Sequence, residues 1–409
     1  MEFLHVDTLE AARKKLLSYA GDWVFKTETI LSDLALGRIL SEDIFAPDNV
    51  PHFRRSSMDG YAVLSKDTAA AGESIPVFLS VLGQIEMGES ASFSINSGQC
   101  VEVATGGMIP GGADAVVMME NTEIINENEV AIYSGVSFGE NVVQTGEDVK
   151  SGEILLPRGK KIQPQDVGVL VAAGIIEISV YMPLKVAIIS TGDELISPDK
   201  APKAGQIRDV NTSGLTALAS KYGFEVTLKT VLPDDSSVLE LNIRNAMKGC
   251  DIVIVSGGSS QGKKDLTSDI FNRVSEPGVF THGLAIKPGK PTILGFDDFT
   301  KTMLVGLPGH PVAAMIVFEL LLVWLLREIY DTPEPPAVPA KVSCNIASTA
   351  GRQSFFPAKL TWSNDGYIAE PVYGKSGLIS ILAKADGYFS IERDVEGLIE
   401  GQTVLVHLF

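Results

Sequence analysis

Cysteine is scarce, and its placement excludes more than its number does. Cys100, Cys250 and Cys344 are the three in 409 residues, far apart and odd in count, so no disulfide framework and no metal-ligand spacing arises from them. A reducing, cytoplasmic compartment is therefore expected. The five histidines likewise show no pairing at zinc-ligand offsets. Cations are few: 33 Lys and Arg stand against 51 Asp and Glu, a formal charge of −18. That balance argues against a general binder of nucleic acid or of anionic membranes, which needs a basic face. It also means that an anionic ligand must be drawn in by a local cluster, against the overall field. Long apolar runs are missing as well. The most apolar stretch, VAAMIVFELLLVWLL at 312–326, is interrupted by Glu319 and falls short of the ~20 residues of a membrane span, so it reads as a buried helix. The N-terminal MEFLHVDTLEAARKKLL is charged throughout and is not expected to act as a signal peptide.

What is present is enough chain for about two to four domains. Residues 7–20 read as a helix with Asp7 as its cap and Glu10 three positions later. From 45 to 140, short runs such as PVFLSVL, QCVEVAT, DAVVMME and EVAIYSG alternate with Gly, Pro, Asn and Ser, the pattern of a small β-rich module. LPRGKKIQPQDVGVLVAAG (156–174) returns to a helix, with Pro164 in its first turn and Gly174 past its end. From Leu184, continuous apolar strands (LKVAIIS, EVTLKTV, DIVIVS, KTMLVGL) alternate with helical stretches, which predicts a parallel sheet covered on both faces. DTPEPPAVPA (331–340) is a proline-rich joint, and short alternating runs beyond it predict a terminal all-β domain.

In a parallel α/β sheet, ligands bind beyond the carboxyl ends of the strands. Three strands here end in polar or glycine-rich loops: IIS-TGDEL, IVS-GGSSQGKKD and LVG-LPGHP. Gly257 and Gly258 would let backbone N–H groups approach an anion, and the helix that follows Pro308 adds a positive N-terminus. Ordinary βα turns use the same residue types, so the signal lies in three such loops sharing one edge. Gly257, Gly262 and Lys263 nearly spell a phosphate-binding P-loop, but Lys264 occupies the position of the required Ser or Thr. HGLAIKPGKPT (282–292) carries Lys287 and Lys290, and the proline after each bars a helix and favours a rigid turn suited to a polyanion. A solvated surface turn would have the same composition. Carboxylates accumulate near the strand ends: Asp193, Glu194, Asp209, Asp234, Asp235, Asp265 and Asp269. Together with lysines they fit Mg²⁺-dependent chemistry on phosphates, although any one of them could be a helix cap.

Eight stretches in order resemble the molybdopterin molybdenumtransferases, a family related to the C-terminal domain of gephyrin. They are SSMDGYAV (56–63), VATGGMIPGGADAVVMMENT (103–122), GEDVKSGEILL (146–156), STGDEL (190–195), IRDVNTSGL (207–215), VSGGSSQGKKD (255–265), LAIKPGKPT (284–292) and GLPGHPVAA (306–314). The resemblance implies a multidomain α/β plus β fold. An elongated discontinuous domain would take 1–45 and 141–180, with the N-terminal helix (1–26) free to pack elsewhere. A β-rich domain would be inserted at 46–140, a three-layer α/β/α molybdopterin-binding domain would span 181–330, and a β-barrel domain 331–409. It also implies a homodimer whose sites lie between subunits. The implied reaction inserts molybdate into adenylylated molybdopterin with Mg²⁺ present and releases AMP, and an upstream adenylyltransferase is an expected partner. The implied site takes Ser256, Gly257, Gly258 and Pro308 as the pterin-phosphate cradle. Lys287 and Lys290 would bind anionic oxygens, and Glu194, Asp234 and Asp265 would hold Mg²⁺ or orient water. Asp59, Thr105 and Asp148 would complete the site across the dimer, and Arg352 and Ser376 would reach it from the last domain. The sequence departs from the family at Ser259–Lys263 and at His310, where Asn or Tyr is common, and leaves the roles of Lys263, Lys264 and His310 open. A non-catalytic gephyrin-like scaffold or pterin-binding protein is the alternative.

Overall fold

The computed structural model describes residues 6–21, 23–257 and 266–409. Segments from both sides of the β-rich insertion pair with each other: Thr27–Leu31 with Glu177–Tyr181, Ile44–Phe45 with Ile154–Leu156, and Arg55–Ser56 with Val142–Val143, all antiparallel. Leu40, Ile44, Leu156, Ile162, Leu170 and Val180 form their small core, which the helix Pro164–Ala172 helps to close. Between them a six-stranded mixed sheet runs from Gly60–Val63 to Glu129–Ile132. Its alternation fills two faces: Tyr61, Val63, Cys100 and Val117 belong to one apolar cluster, Ala62, Val101, Val103 and Val116 to the other.

The α/β sheet has the order Glu225–Leu232, Lys185–Thr191, Ile252–Gly257, Thr302–Leu307, Ile293–Asp297, Pro277–His282. The first four strands are parallel and the last two join through antiparallel pairings, Ile293–Asp297 running against the other five, so the sheet is mixed where the apolar runs alone predict a parallel one. The two added strands are glycine-containing and lack long apolar runs, so periodicity does not announce them. Alternation again assigns the two faces. Val186, Ile188 and Ile254 pack under the helices Asn211–Tyr222 and Pro311–Phe318, while Ala187, Ile189 and Val253 pack under Ser236–Met247 and Leu266–Val274. The apolar run 312–326 is indeed buried, as the helix Pro311–Phe318, a π turn Glu319–Val323 and the helix Trp324–Tyr330. Among the described residues no helix is long and apolar enough to cross a membrane.

The N-terminal helix is Leu9–Ala20, and its cap is Thr8, whose Oγ1 accepts from the Ala11 N–H at 3.1 Å. Asp7, expected as the cap, instead accepts from Lys15 Nζ at 2.6 Å and Thr281 Oγ1 at 2.7 Å. Leu9, Ala12, Leu16 and Ala20 share the core of the α/β sheet and the helix Trp324–Tyr330.

The last strands close into a barrel. Gln353–Ser363 pairs with Gly366–Pro371 and with Gly387–Ile391, and Val338–Val342 and Thr403–Leu408 complete the ring. Ala358, Ala369, Phe389 and Val406 fill its interior. A short parallel pair, Ile286–Lys287 with Gln353–Ser354, ties the barrel to the α/β unit.

Candidate active site at the strand-end edge

Strand register decides which loops meet. Thr191 stands opposite both Leu232 and Gly257, Ser256 opposite Leu307, Gly306 opposite Ile293, and Ile293 opposite His282. The segments 233–235, 192–194, 308–310 and 283–292 therefore leave the sheet at one edge. Gly258, Lys263, Lys264 and Asp265 lie outside the described residues. Sheet order also separates charge along that edge. Asp193, Glu194 and Asp234 follow the two strands at one side, and Lys287 and Lys290 stand between the two antiparallel strands at the other.

On the acidic side, hydrogen bonds sort the carboxylates into structural and available ones. Asp235 caps the helix Ser236–Met247, accepting from the N–H groups of Ser237 and Val238 at 2.9 Å each. Asp209 is buried and accepts from the N–H groups of Asn211 and Thr212 at 3.2 and 3.3 Å, at the start of the helix Asn211–Tyr222. Asp234 does neither. Its Oδ1 accepts from Thr191 Oγ1 at 2.6 Å, and its own N–H donates to Asp193 Oδ1 at 3.1 Å. The Glu194 carboxylate lies over Gly192, where any Cβ would come within 2.9 Å of both its oxygens. Asp234 and Glu194 thus remain exposed and held at adjoining strand ends.

In the centre, the strand ends are locked together by a residue that motif reading passed over. Asn211 Nδ2 donates to Ser256 Oγ and to the Gly309 carbonyl, both at 2.8 Å, and Ser256 Oγ donates to the Pro308 carbonyl at 3.3 Å. Ser256 is 1% exposed, so its hydroxyl and the Pro308 carbonyl are engaged inside the protein rather than turned to a ligand. The signal was present, since Asn211 stands in IRDVNTSGL at a helix start, but its reach across three strands is not a local property. Gly257 has φ +116°, and a Cβ there would lie 2.2 Å from the Thr191 carbonyl oxygen. The glycine is thus required by the neighbouring strand. Gly257→Ala is expected to cost about 2–4 kcal/mol, combining backbone strain with a steric clash. A lower urea midpoint with unchanged slope would show this, and an unaltered midpoint would refute the clash.

On the basic side, Leu284 and Ile286 are buried and anchor the lysine loop, while the Leu284 N–H donates to the Lys290 carbonyl at 2.9 Å. Thr292 Oγ1 closes the loop on the Gly289 carbonyl at 2.7 Å. The Gln353 N–H donates to the Ala285 carbonyl at 2.9 Å, which brings Arg352 of the barrel beside the lysine turn. Ser376 comes to the end of the neighbouring strand Thr302–Leu307: its Oγ is 2.8 Å from His310 Nδ1, and its carbonyl accepts from the Val312 N–H at 3.2 Å.

Three expected site residues are bonded locally in other parts of the chain. Asp59 and Thr105 sit on the β-rich unit, where Asp59 Oδ1 accepts from the Thr105 N–H at 2.7 Å and from Thr105 Oγ1 at 2.9 Å. Those two donors, the backbone one first, hold the Asp59 carboxyl below its usual pKa, so it stays an anion. Asp148 is exposed, with its N–H donating to the Val50 carbonyl at 3.1 Å. Among the described residues, no hydrogen bond or ion pair links Asp59, Thr105 or Asp148 to the strand-end edge.

Comparison with known proteins covers nearly the whole chain. Family models match in succession: "MoeA N-terminal region (domain I and II)" over residues 7–174, "Probable molybdopterin binding domain" over 187–328, and "MoeA C-terminal region (domain IV)" over 339–409. The molybdopterin molybdenumtransferase of Haemophilus influenzae is 33% identical over 409 residues, 98% of each chain. That of Staphylococcus aureus is 32% identical over 379 residues, covering 92% of this chain and 90% of its own. A crystal structure of the molybdopterin biosynthesis MoeA protein from Pyrococcus horikoshii OT3 superposes with a TM-score of 0.85 at 32% identity, covering 99% of this chain and 100% of that one.

Proposed function

We propose, for a chain that belongs to the molybdopterin molybdenumtransferase family and is thereby a transferase of molybdenum-cofactor biosynthesis, that its reaction inserts molybdate into adenylylated molybdopterin and releases AMP. The observation that carries this reading is the separation of charge along one sheet edge. Lys287, Lys290 and Arg352 form a cationic side suited to an oxyanion, and Glu194 and Asp234 form an acidic side suited to a divalent cation on a phosphoanhydride. The cations lie on a protein of charge −18, so the attraction is local.

Carboxylate oxygens are the hard donors that Mg²⁺ takes, commonly one or two beside water and substrate phosphates. Mg²⁺ bound by Glu194 and Asp234, with Asp265 as a third candidate, would neutralise phosphate charge as AMP departs. The protein's own residues do the rest. Thr191 orients Asp234, Asn211 keeps the strand ends together, and the buried Leu284 and Ile286 hold the lysine turn toward the anion.

The assembly we infer is a homodimer. Leu34 and Ile176 are each 69% exposed, and Leu36, Phe45, Ile154 and Val171 add to the apolar outside of the elongated unit. A second copy would cover that surface. It would also explain why Asp59, Thr105 and Asp148 are not joined to their own strand-end edge: they would serve the partner's. The protein acts in the cytoplasm, downstream of an adenylyltransferase that supplies its activated pterin.

AMP release tests the reaction. Purified protein with adenylylated molybdopterin, Mg²⁺ and molybdate is expected to release AMP with the metal retained on the pterin, and to release little without an oxyanion. Tight pterin binding with no release would replace the enzyme by a binding or scaffold role.

A further inference from the structure

His310 occupies the cap position of the helix Pro311–Phe318 with extended φ −75° and ψ 123°, yet its side chain makes no capping bond to that helix. It reaches instead across 66 residues of sequence to Ser376 of the barrel, with Nδ1 2.8 Å from Oγ. The base under it is firm. Gly309, its neighbour, is bonded through its carbonyl to Asn211, which also holds Ser256. The serine is held from a second direction, since its carbonyl accepts from the Val312 N–H at 3.2 Å. Gly377 lies alongside the ring, where an added Cβ would stand 3.6 Å from Cδ2. A single imidazole therefore fixes where a barrel hydroxyl stands relative to the strand-end edge.

We propose that His310 is a positioning residue, which holds Ser376 so that the serine hydroxyl donates to the incoming oxyanion. This rests on the reaction proposed above. The reasoning is one of hydrogen-bond polarity. An oxyanion only accepts, so a useful serine must keep its single O–H hydrogen for it. If Nδ1 accepted from Ser376, that hydrogen would be occupied. If Nδ1–H donates to Oγ, the hydroxyl hydrogen is free to turn outward. The neutral tautomer with hydrogen on Nδ1 thus both fixes the oxygen and leaves the donor available. Asparagine places its amide nitrogen at the same remove from the main chain as Nδ1, so it can supply the same N–H. Aspartate places only acceptors there when ionised.

The test is a double-variant cycle on the full-length protein, with molybdate as the titrated substrate in the AMP-release assay. His310→Ala is expected to raise the molybdate KM by about 3- to 10-fold, the scale of one net hydrogen bond, while kcat and the KM for adenylylated molybdopterin change less than about twofold. His310→Asn should restore the wild-type molybdate KM and His310→Asp should not. Ser376→Ala should raise the same KM, and the His310→Ala, Ser376→Ala double variant should be no worse than Ser376→Ala alone. Additive effects in the double variant, or an asparagine variant as impaired as the alanine one, would overturn the positioning role. The asparagine variant also separates that role from general damage, since it loses the ring but keeps an N–H donor at the Nδ1 position. A wild-type protein that releases no AMP in response to molybdate would overturn the underlying reaction and this role with it, whereas an active wild type with additive variants overturns the role of His310 alone.

Discussion

Lys287→Ala is expected to slow molybdate-dependent AMP release by about 10²–10³, the effect of removing one pre-organised electrostatic donor from a developing charge. The fold should be unaffected. Lys287 is exposed, while the backbone beneath it is anchored by the buried Leu284 and Ile286 and by pairing with Gln353–Ser354. The loss should therefore appear in rate and not in the unfolding midpoint. Lys287→Arg keeps the charge but changes a compact ammonium into a planar fork, so partial activity is expected. The Lys287→Ala, Lys290→Ala double variant should approach the oxyanion-free background. A double variant with the wild-type rate would remove the lysine turn from the site altogether.

Mixing two impaired chains should restore activity. Asp59→Ala and Lys287→Ala are each expected to be nearly inactive as homodimers. If a site is built from the α/β unit of one chain and the β-rich unit of the other, a mixed dimer has one site carrying both substitutions and one site carrying neither. Random pairing makes about half of the dimers mixed, so about a quarter of the wild-type activity should return. The Asp59 carboxylate supports a role outside its own fold. Thr105 holds it in the charged form, yet within its own chain it meets no cation among the described ion pairs. Mixed dimers with no recovered activity would mean that Asp59 serves the site of its own chain, or none.

The two sides of the edge differ in how far local sequence could identify them. Asp234 and Asp235 are adjacent and chemically identical, and nothing local tells them apart. Asp235 becomes a helix cap because the chain turns into Ser236–Met247, and Asp234 is left to Thr191 because the strand Lys185–Thr191 lies alongside. Ser256 reads from the motif as a ligand group, but packing beneath Asn211 turns its hydroxyl inward. Arg352 and Ser376 carry weak motifs, yet strand pairing at Gln353 and the bond to His310 bring both barrel segments to the α/β unit.

The sequence by itself determined the alternating strands, the helices, the proline joint before the barrel, the glycine-rich strand ends and the family. These depend on short-range rules: side chains alternate along a strand, recur every three or four residues along a helix, and glycine or proline breaks both. Tertiary structure alone decided that two antiparallel pairings extend the sheet, that acids and lysines fall on opposite sides of one edge, and that His310 meets Ser376. Such relations join residues tens to hundreds of positions apart. They follow from which apolar faces pack together and in what strand order, and no local propensity encodes that order.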